Sequence, residues 1–579
     1  MKNIFGSTTT QPVGAFEFEP EITEINDAEN PHLDEKPQQD AQAGIQKVEA
    51  VTLLWTKKQL LVAYFFVFLV FFVISMEQQI QNNLVFYVYA KFQLSPIVGT
   101  AGIVAQICVG VFKLPLAKYI DLVGRAEGFL FMTMVSTMGL IMMAACKNAE
   151  TYAAAYVFYW VGFDGMSYVL QVFVADTSSL KNRAFVTAIT TAPYIATTFI
   201  GPPAAQSFIE TSGWRWGYGC FCIITPVIAL PIAYIIWSNQ RKALQSGFIV
   251  KAQSGRTVLQ SIEYYFWEFD VMGLLLIVAG ISLILLPFSL AAYQTKGWAS
   301  GMIIAMLVLG GVCLIAFPIY EKFFSKKCFL PFQLMSDRTI LGACLLAGFL
   351  DISFYMWDTY FYYYLEVVHG LNIRDTGYVT NIFSIGSCFW SLVVGLAIRK
   401  SGYFKWIAFF SLFLEMLGVG LMIHFRQPGQ NIGYVVMCQI FIAFGGGAMV
   451  LCEELAVMSA VSHANIAGIL AFLSLFSSVG SAVGYAVSGV IYANTFPQAL
   501  TKALPGNSTL VEELYASTAT QLLYAFGTPE RTACLEAWGH TQRLLCIAGL
   551  AWLIPGIAFI AVWRNYKVTE MTQVKGRVI

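Results

Sequence analysis

Fourteen apolar runs, each about 20 residues long, constrain this chain more than any other feature of its sequence. As a helix, a run of that length crosses the roughly 30 Å hydrocarbon layer of a bilayer. The composition agrees, because 57% of the residues are hydrophobic and 12% are charged, against about 25% charged in soluble domains. The formal net charge of +0 gives no reason to expect nucleic-acid binding. The sequence therefore predicts an all-α polytopic membrane protein with spans near 60–88, 96–119, 127–146, 151–175, 184–208, 217–237, 271–291, 300–320, 340–367, 376–398, 406–425, 431–457, 465–492 and 543–563.

Two charged connections, one in each half of the chain, indicate that the halves are related. Residues 117–127 read AKYIDLVGRAE and residues 395–405 read GLAIRKSGYFK. Each begins with a small residue, followed four positions later by a charge and three positions after that by a glycine. Repeated connections of this kind between long apolar segments are typical of secondary transporters. We therefore predict a disordered tail (1–56), a six-helix bundle (57–237), a linker (238–270), an inserted helix pair with its connection (271–338), a second six-helix bundle (339–563, including an outer loop at 493–541) and a C-terminal tail (564–579).

The distribution of Lys and Arg predicts that both termini lie in the cytosol. With the N-terminus inside, the inner connections hold 21 of these residues and the outer connections hold 9, which follows the positive-inside rule. The Asn507-Ser508-Thr509 sequon then falls outside, which makes Asn507 a candidate glycosylation site. The plasma membrane is the expected location, with endosomal vesicles as a second one.

The turn at 117–127 is similar to the signature of the major facilitator superfamily between helices two and three. Asp121, Gly124 and Arg125 match that signature, whereas Ala117 and Leu122 replace its usual Gly and Arg. Further motifs resemble, more specifically, the fungal siderophore-iron transporter family within this superfamily. They are GFDGM (162–166), ADTSSLKNRAF (175–185), GWRWGYG (213–219) and FGGGAMVLCEELAVMSAVSH (444–463).

The resemblance implies a protein of two six-helix bundles plus two extra helices. It implies proton-coupled import of ferric siderophores of the hydroxamate type by alternating access, with protons and lipid as further partners and no cofactor. A monomer is expected. Asp121, Gly124, Arg125 and Arg399 would form a gate on the cytosolic side, whose charge pairs break as the halves rock. Read from the residues alone, the same turn could equally be a solvated loop.

Ionisable residues inside the spans are candidates for function, because hydrocarbon penalises them. Asp164, Asp351 and Glu77 are the candidates for proton coupling, with a structural carboxylate as the alternative reading of each. Helical spacing places Asp351, Tyr355, Asp358 and Tyr362 on one face of a single helix nine. The predicted substrate-binding residues are Tyr355, Tyr362, Asp358, Tyr168, Gln171 and Gln78.

Other side chains carry weaker signals. Tyr363 and Tyr364 are expected in an aromatic belt at the membrane surface. Five histidines occur without ligand spacing, so no metal site is predicted. Cys534 is either a free thiol or a disulfide partner of Cys220 or Cys222. The long 493–541 connection resembles the family's large external loop, which implies a role in substrate capture.

Two other classes of function remain open at this point. A fourteen-span carrier of another organic solute, such as a drug:proton antiporter or a glutathione exchanger, is the first alternative. Antiporters usually carry an Arg in helix four, where this chain has Asp164. A membrane enzyme or a nutrient sensor is the second alternative, although no histidine-rich or paired-aspartate motif supports an enzyme.

Overall fold

The computed structural model describes residues 55–92, 98–245, 257–291, 294, 296–325, 334, 336–571 and 573. Within those residues the secondary structure is helical, and no strand is present. The helices are α1 Lys57–Lys91, α2 Val98–Leu122, α3 Arg125–Ala145, α4 Ala149–Thr177, α5 Leu180–Thr191, α6 Pro193–Ser207, α7 Trp214–Gly219, α8 Phe221–Gln245, α9 Val258–Glu268, α10 Val271–Leu290, α11 Gly301–Phe323, α12 Arg338–Asp358, α13 Phe361–His369, α14 Ile373–Thr380, α15 Ile382–Ser401, α16 Lys405–Phe425, α17 Ile432–Ser459, α18 Ile466–Ala503, α19 Ser508–Ala516, α20 Thr518–Leu522, α21 Pro529–Leu553 and α22 Gly556–Ala561. A π-helical turn, Phe208–Ser212, continues α6.

Fourteen helical segments of the described chain are long and apolar enough to cross a membrane, which confirms the predicted number. The two segments of the predicted inserted pair both qualify, namely Val271–Phe288 and Gly301–Phe323. They pack against each other as α10 and α11, and α10 also contacts α2 and α18. The predicted disordered tail lies outside the described residues up to residue 54, as do residues 246–256 of the predicted linker.

The remaining spans form two bundles that face each other. Contacts between α1, α6 and α8, and between α3 and α4, build the first bundle, while α12, α16, α17, α18 and α21 build the second. The two bundles meet where α2 packs against α18 and where α15 packs against α5 and α6. We call the end of the molecule that carries the 123–124 turn the turn end, and the end that carries residues 504–528 the loop end.

Glycines allow the close contacts within the first bundle. Gly124 reverses the chain between α2 and α3 with φ at 147°, a conformation that residues with a Cβ rarely adopt. In the GFDGM motif, a Cβ at Gly162 would stand 2.1 Å from the backbone nitrogen of Ser136, so only glycine lets α4 approach α3 this closely.

The predicted 493–541 loop is too long. Helix α18 continues to Ala503 and α21 begins at Pro529, so the connection covers 504–528 and contains two short helices. Helices α18 and α21 extend beyond the apolar runs because protein, rather than lipid, surrounds their ends there. Arg531, for example, is buried and donates to the carbonyl oxygens of Gln521 and Val367 at 2.7 Å each.

The predicted ninth span is present as the segment Arg338–His369, but its helix is interrupted. Helix α12 ends at Asp358 and α13 begins at Phe361. The Thr359 hydroxyl donates to the Tyr355 carbonyl, a bond that competes with regular helical pairing. Arg426, directly after α16, donates from Nη1 to the Trp357 carbonyl oxygen next to this break at 2.8 Å.

Candidate functional site

A cavity of about 260 Å³ lies between the two bundles, in the half of the molecule nearer the loop end. Four predicted binding residues line it: Gln78, Tyr355, Asp358 and Tyr362. Helices α1, α2 and α4 supply one wall, and α12, α13, α15 and α18 supply most of the other. The other lining residues are Asn82, Asn83, Val85, Phe86, Tyr89, Gly102, Ala105, Gln106, Tyr156, Trp160, Phe354, Thr359, Thr380, Asn381, Phe383, Ser384 and Tyr485.

Aromatic rings join the two bundles on the loop-end side of this cavity. Phe86 of α1 stacks on Tyr362 of α13 with ring centroids 4.5 Å apart and planes 7° apart. Closer to the loop end, the Tyr378 hydroxyl donates to the Phe199 carbonyl at 3.4 Å. These contacts separate the cavity from the loop end.

A second cavity of about 260 Å³ lies nearer the turn end and shares the side chains of Phe383 and Ser384 with the first. Its polar lining consists of the hydroxyl groups of Ser, Thr and Tyr residues together with the amide of Gln171 and the carboxylate of Glu454. Gln171 Nε2 donates across the bundles to Glu454 Oε1 at 3.4 Å. The partition between the cavities includes Tyr194, whose hydroxyl donates to Gln78 Oε1 at 2.7 Å.

Two of the three predicted proton-coupling carboxylates lie near the plane where the bundles meet. Asp164 Oδ2 in α4 is 3.4 Å from Lys113 Nζ in α2. The same Lys113 donates to Ser474 Oγ of α18 at 2.6 Å, so it bridges the bundles. Asp351 in α12 accepts a hydrogen bond from the Ser477 hydroxyl, one helical turn further along α18.

Glu77 and Tyr168 occupy other environments. Glu77 is 2% exposed inside the first bundle, where its Oε2 accepts a hydrogen bond of 2.6 Å from Thr225 of α8. Tyr168 is buried, and its hydroxyl donates to the Ala467 carbonyl of the second bundle at 2.6 Å. In this conformation Tyr168 therefore serves the contact between the bundles.

Charged side chains close the turn end. Arg125 Nη1 lies 2.6 Å from Asp121 Oδ1, and Arg125 Nε lies 3.1 Å from Asp176 Oδ2 of α4. His463 Nε2, from the second bundle, lies 3.7 Å from the other oxygen of Asp176. Asp176 thus connects the predicted gate to the opposite bundle, and all of these groups are buried or nearly so.

The C-terminal segment adds a second connection at the turn end. Arg183 of α5, 1% exposed, donates from Nη1 to Gln573 Oε1 at 2.7 Å. Gln573 Nε2 in turn donates to the carbonyl oxygens of Met458 and Val461 at 2.8 and 2.5 Å. Gln573 therefore touches both bundles. Arg399, the remaining predicted gate residue, is exposed and lies over the ring of Phe185 with its guanidinium carbon 5.8 Å from the centroid.

Neutralising Asp176 should weaken this closure. The Asp176→Asn variant loses one buried charge-assisted hydrogen bond and leaves Arg125 less compensated, which we expect to lower the free energy of unfolding by about 1.5–3 kcal/mol. Thermal unfolding in detergent measures the change. Asp375→Asn is the matched control, because Asp375 pairs with Arg374 at the same 3.1 Å but at an exposed site. Equal shifts in the two variants would contradict a structural role for the buried network.

The predicted aromatic belt at Tyr363 and Tyr364 is wrong. Tyr363 and Tyr364 are 1% and 0% exposed, so they do not form a lipid-facing belt. The break after Asp358 turns α13 so that both rings pack inward, Tyr363 against Phe86 and Tyr364 beneath Arg426. Cys534 is a free, buried thiol on α21, and Cys220 and Cys222 on the other bundle are free and partly buried, which agrees with the free-thiol alternative.

Asn507 is exposed and caps α19, accepting a hydrogen bond from the Leu510 amide at 3.2 Å. Its glycosylation stays a prediction. Among the described residues, no group of three or more His, Cys, Asp or Glu side chains could hold a metal ion.

Sequence reasoning missed several residues of the site. Lys113 is a lone cation inside an apolar run, and that signal alone would have identified it. Asp176 and Arg183 belong to a motif that was recognised without assigning roles to them. Tyr485 and Gln573 carried no signal, because only the packing of distant segments brings them to the site.

The family model of the Major Facilitator Superfamily matches residues 60–371. "MFS siderochrome iron transporter 1" of Ajellomyces capsulatus is 46% identical over 545 residues, covering 93% of this chain and 92% of the relative. "Siderochrome iron transporter 2" of Aspergillus fumigatus is 45% identical, covering 92% and 88%, and "Siderophore iron transporter mirB" of Emericella nidulans is 41% identical, covering 94% and 90%.

Solved structures share the fold. An inward-facing bacterial homologue of the human lysosomal transporter Spinster has a TM-score of 0.54 at 13% identity, covering 87% of this chain and 97% of that one. A peptide transporter of the POT type in complex with sulfate has a TM-score of 0.53 at 12% identity, covering 87% and 96%. At these identities the likeness concerns the arrangement of helices alone.

Proposed function

This chain belongs to the Major Facilitator Superfamily, among its fungal siderophore iron transporters, and we propose that it imports ferric siderophores of the hydroxamate type by proton-coupled alternating access. It is thus a member of a membrane-transporter family rather than of an enzyme family. The turn end would face the cytosol and the loop end the outside, as the Lys and Arg distribution predicts. The plasma membrane is the proposed location, and endosomal vesicles are a second one.

The observation that supports this proposal most is the cavity between the bundles, with inter-bundle contacts on both sides of it. Stacked rings at Phe86 and Tyr362 lie towards the loop end, and the Lys113–Ser474 and Asp176–His463 contacts lie towards the turn end. Opening one set of contacts while the other holds is what alternating access requires. Binding pockets for drug-sized ligands usually measure about 300–1,000 Å³, so a cavity of about 260 Å³ must widen when a siderophore enters.

The lining suits a ferric hydroxamate, which presents oxygen atoms and apolar linkers. Tyrosine offers a flat apolar ring with one hydroxyl, and the amides of Gln78, Asn82 and Asn381 can donate to oxygen. The iron arrives already enclosed by the siderophore, so the protein itself needs no metal ligands.

For proton coupling we propose Asp164 and Asp351 before Glu77. Asp164 pairs with Lys113, which also bonds to Ser474 of the other bundle, and Asp351 bonds to Ser477, one helical turn from Ser474. Separation of the bundles would therefore change the surroundings of both aspartates. Glu77 bonds within one bundle, and rocking of the bundles would leave that contact unchanged.

Uptake of ⁵⁵Fe-labelled siderophore tests the function. Yeast cells that lack their own siderophore carriers would express this chain, and we expect saturable uptake that rises as external pH falls and stops when a protonophore is added. Uptake that changes neither with external pH nor with the protonophore would contradict proton coupling, but it would still demonstrate transport. Failure of every ferric hydroxamate, combined with export of a drug or exchange of glutathione, would instead favour the alternative carrier function.

Removing single hydroxyl groups should separate cavity residues from structural ones. Tyr355→Phe and Tyr362→Phe each delete the hydroxyl of a tyrosine that lines the cavity. Loss of a hydrogen bond worth about 0.5–1.5 kcal/mol should raise the Kd for a ferric hydroxamate about two- to tenfold. Tyr364→Phe is the matched control, since Tyr364 packs under Arg426 outside the lining. A binding titration of the purified variants measures the effect. If all three variants bind equally well, these hydroxyls do not contact substrate.

A further inference from the structure

The cavity carries charge of one sign. Among the residues that line it, Asp358 is the single charged side chain, and nine aromatic rings surround the remaining space. The other polar lining groups are amides and hydroxyls, which are neutral. No lysine or arginine belongs to the lining, so a ligand in this space meets a negative group that the wall itself does not neutralise.

The nearest arginine is directed elsewhere. Arg426 donates to the Trp357 carbonyl, and its guanidinium carbon lies 4.0 Å from the centroid of the Phe361 ring. Within the part of the chain that the structure describes, Asp358 forms no ion pair within 4.0 Å. The long-range attraction of Arg426 therefore reaches Asp358 without a direct contact.

The position of Asp358 in its helix strengthens the negative field. Asp358 is the last residue of α12, and the helix dipole places partial negative charge at that end. A carboxylate is unfavourable there and a cation is favourable. Tyr355, one helical turn earlier in α12, and Tyr362, in α13 beyond the break, also line the cavity, and tyrosine rings attract cations.

We propose that this cavity selects ferric hydroxamate siderophores that carry a protonated amine, and that Asp358 is the residue that binds the ammonium group. The proposal rests on the proposed siderophore transport and adds the charge class of the substrate. A neutral siderophore would lose the ionic contact, and a siderophore with a free carboxylate would be repelled by Asp358.

A charge series on one siderophore scaffold tests the proposal. The probes are a linear ferric trihydroxamate of the ferrioxamine type with a free terminal amine, the same compound with that amine acetylated, and the same compound with it succinylated. They are cationic, neutral and anionic, and the iron coordination is unchanged. With the unmodified purified protein we expect the free amine to bind about tenfold or more tightly than the acetylated form, and the succinylated form to bind most weakly.

The Asp358→Asn variant shows whether this residue sets the preference. We expect the ratio of Kd values between acetylated and free amine to fall from about tenfold to about one. Asp375→Asn, an exposed change of the same kind at the loop end, should retain the full ratio. Because the charge series on the unmodified protein needs no variant, a misfolded Asp358→Asn protein would not prevent the test.

Three results would overturn the inference. Equal affinity of the unmodified protein for the free and acetylated amines would do so, and so would an unchanged ratio in Asp358→Asn. Either result leaves siderophore transport standing, provided that the compounds bind. If none of the three compounds binds or enters cells, and other ferric hydroxamates fail as well, the proposed function itself falls and the charge class falls with it.

Discussion

Asp351→Asn should reduce siderophore accumulation to the level of simple equilibration. A membrane potential contributes about 2.3 kcal/mol per charge per 100 mV, which for one proton supports an inside-to-outside ratio of about 50-fold. Asparagine keeps the shape of the side chain and can still pair with the Ser477 hydroxyl, but it cannot carry a proton. For a siderophore without net charge, we therefore expect a ratio near one, measured with the labelled compound in energised vesicles.

Counterflow separates loss of coupling from loss of transport. Vesicles preloaded with siderophore should still exchange it for external label in the Asp351→Asn variant, because this exchange needs no net proton movement. Glu415→Gln is the matched control, since Glu415 is a buried carboxylate of the same bundle that packs beside Gly445. Normal accumulation by Asp351→Asn would move the proton path to Asp164 or Glu77.

The spans were predictable because their signal is local. A run of apolar residues long enough to cross a bilayer identifies a helix without knowledge of its neighbours, so even α10 and α11 were placed correctly. The ends of α18 and α21 were not predictable in this way. Those ends are polar in sequence and become helical because other parts of the protein cover them, as Arg531 illustrates by bonding to two distant carbonyls.

The sequence predicted which residues share one wall of the cavity, but not which segments form the opposite wall. Helical spacing put Tyr355 and Asp358 on a common face, and both line the cavity. Spacing cannot say which segments stand opposite, so Tyr485, whose ring lies 4.4 Å from that of Tyr355, was missed. Tyr363 and Tyr364 were misplaced because their packing depends on the break after Asp358 and on Arg426, which bonds beside that break. Arg426 lies 68 positions after Asp358 in the sequence, too far for a local pattern to show the contact.

Lys113 and Asp164 provide the second test with a large expected effect, through a double-mutant cycle. Lys113 is 12% exposed and Asp164 is 31% exposed, so the pair lies between a surface ion pair and a fully buried one. Lys113→Gln also removes the bond to Ser474 across the bundles and should lower the free energy of unfolding by about 2 kcal/mol. Lys113→Gln with Asp164→Asn should restore about half of that loss, because no charge is then left without its partner.

The control for this cycle is an ion pair that is closer but solvated. Lys567 Nζ lies 2.5 Å from Glu570 Oε1, against 3.4 Å for Lys113 and Asp164, and both of its side chains are exposed. If distance alone determined the coupling, Lys567→Gln with Glu570→Gln would show the stronger interaction. Because water screens exposed charges, we expect the coupling between Lys567 and Glu570 to be indistinguishable from zero in reversible unfolding in mixed micelles.

Absence of coupling between Lys113 and Asp164 would show that the pair does not stabilise this conformation. Siderophore accumulation by the stable double variant would show that Asp164 does not carry the proton, because the side chain at position 164 would then be an asparagine, which cannot titrate.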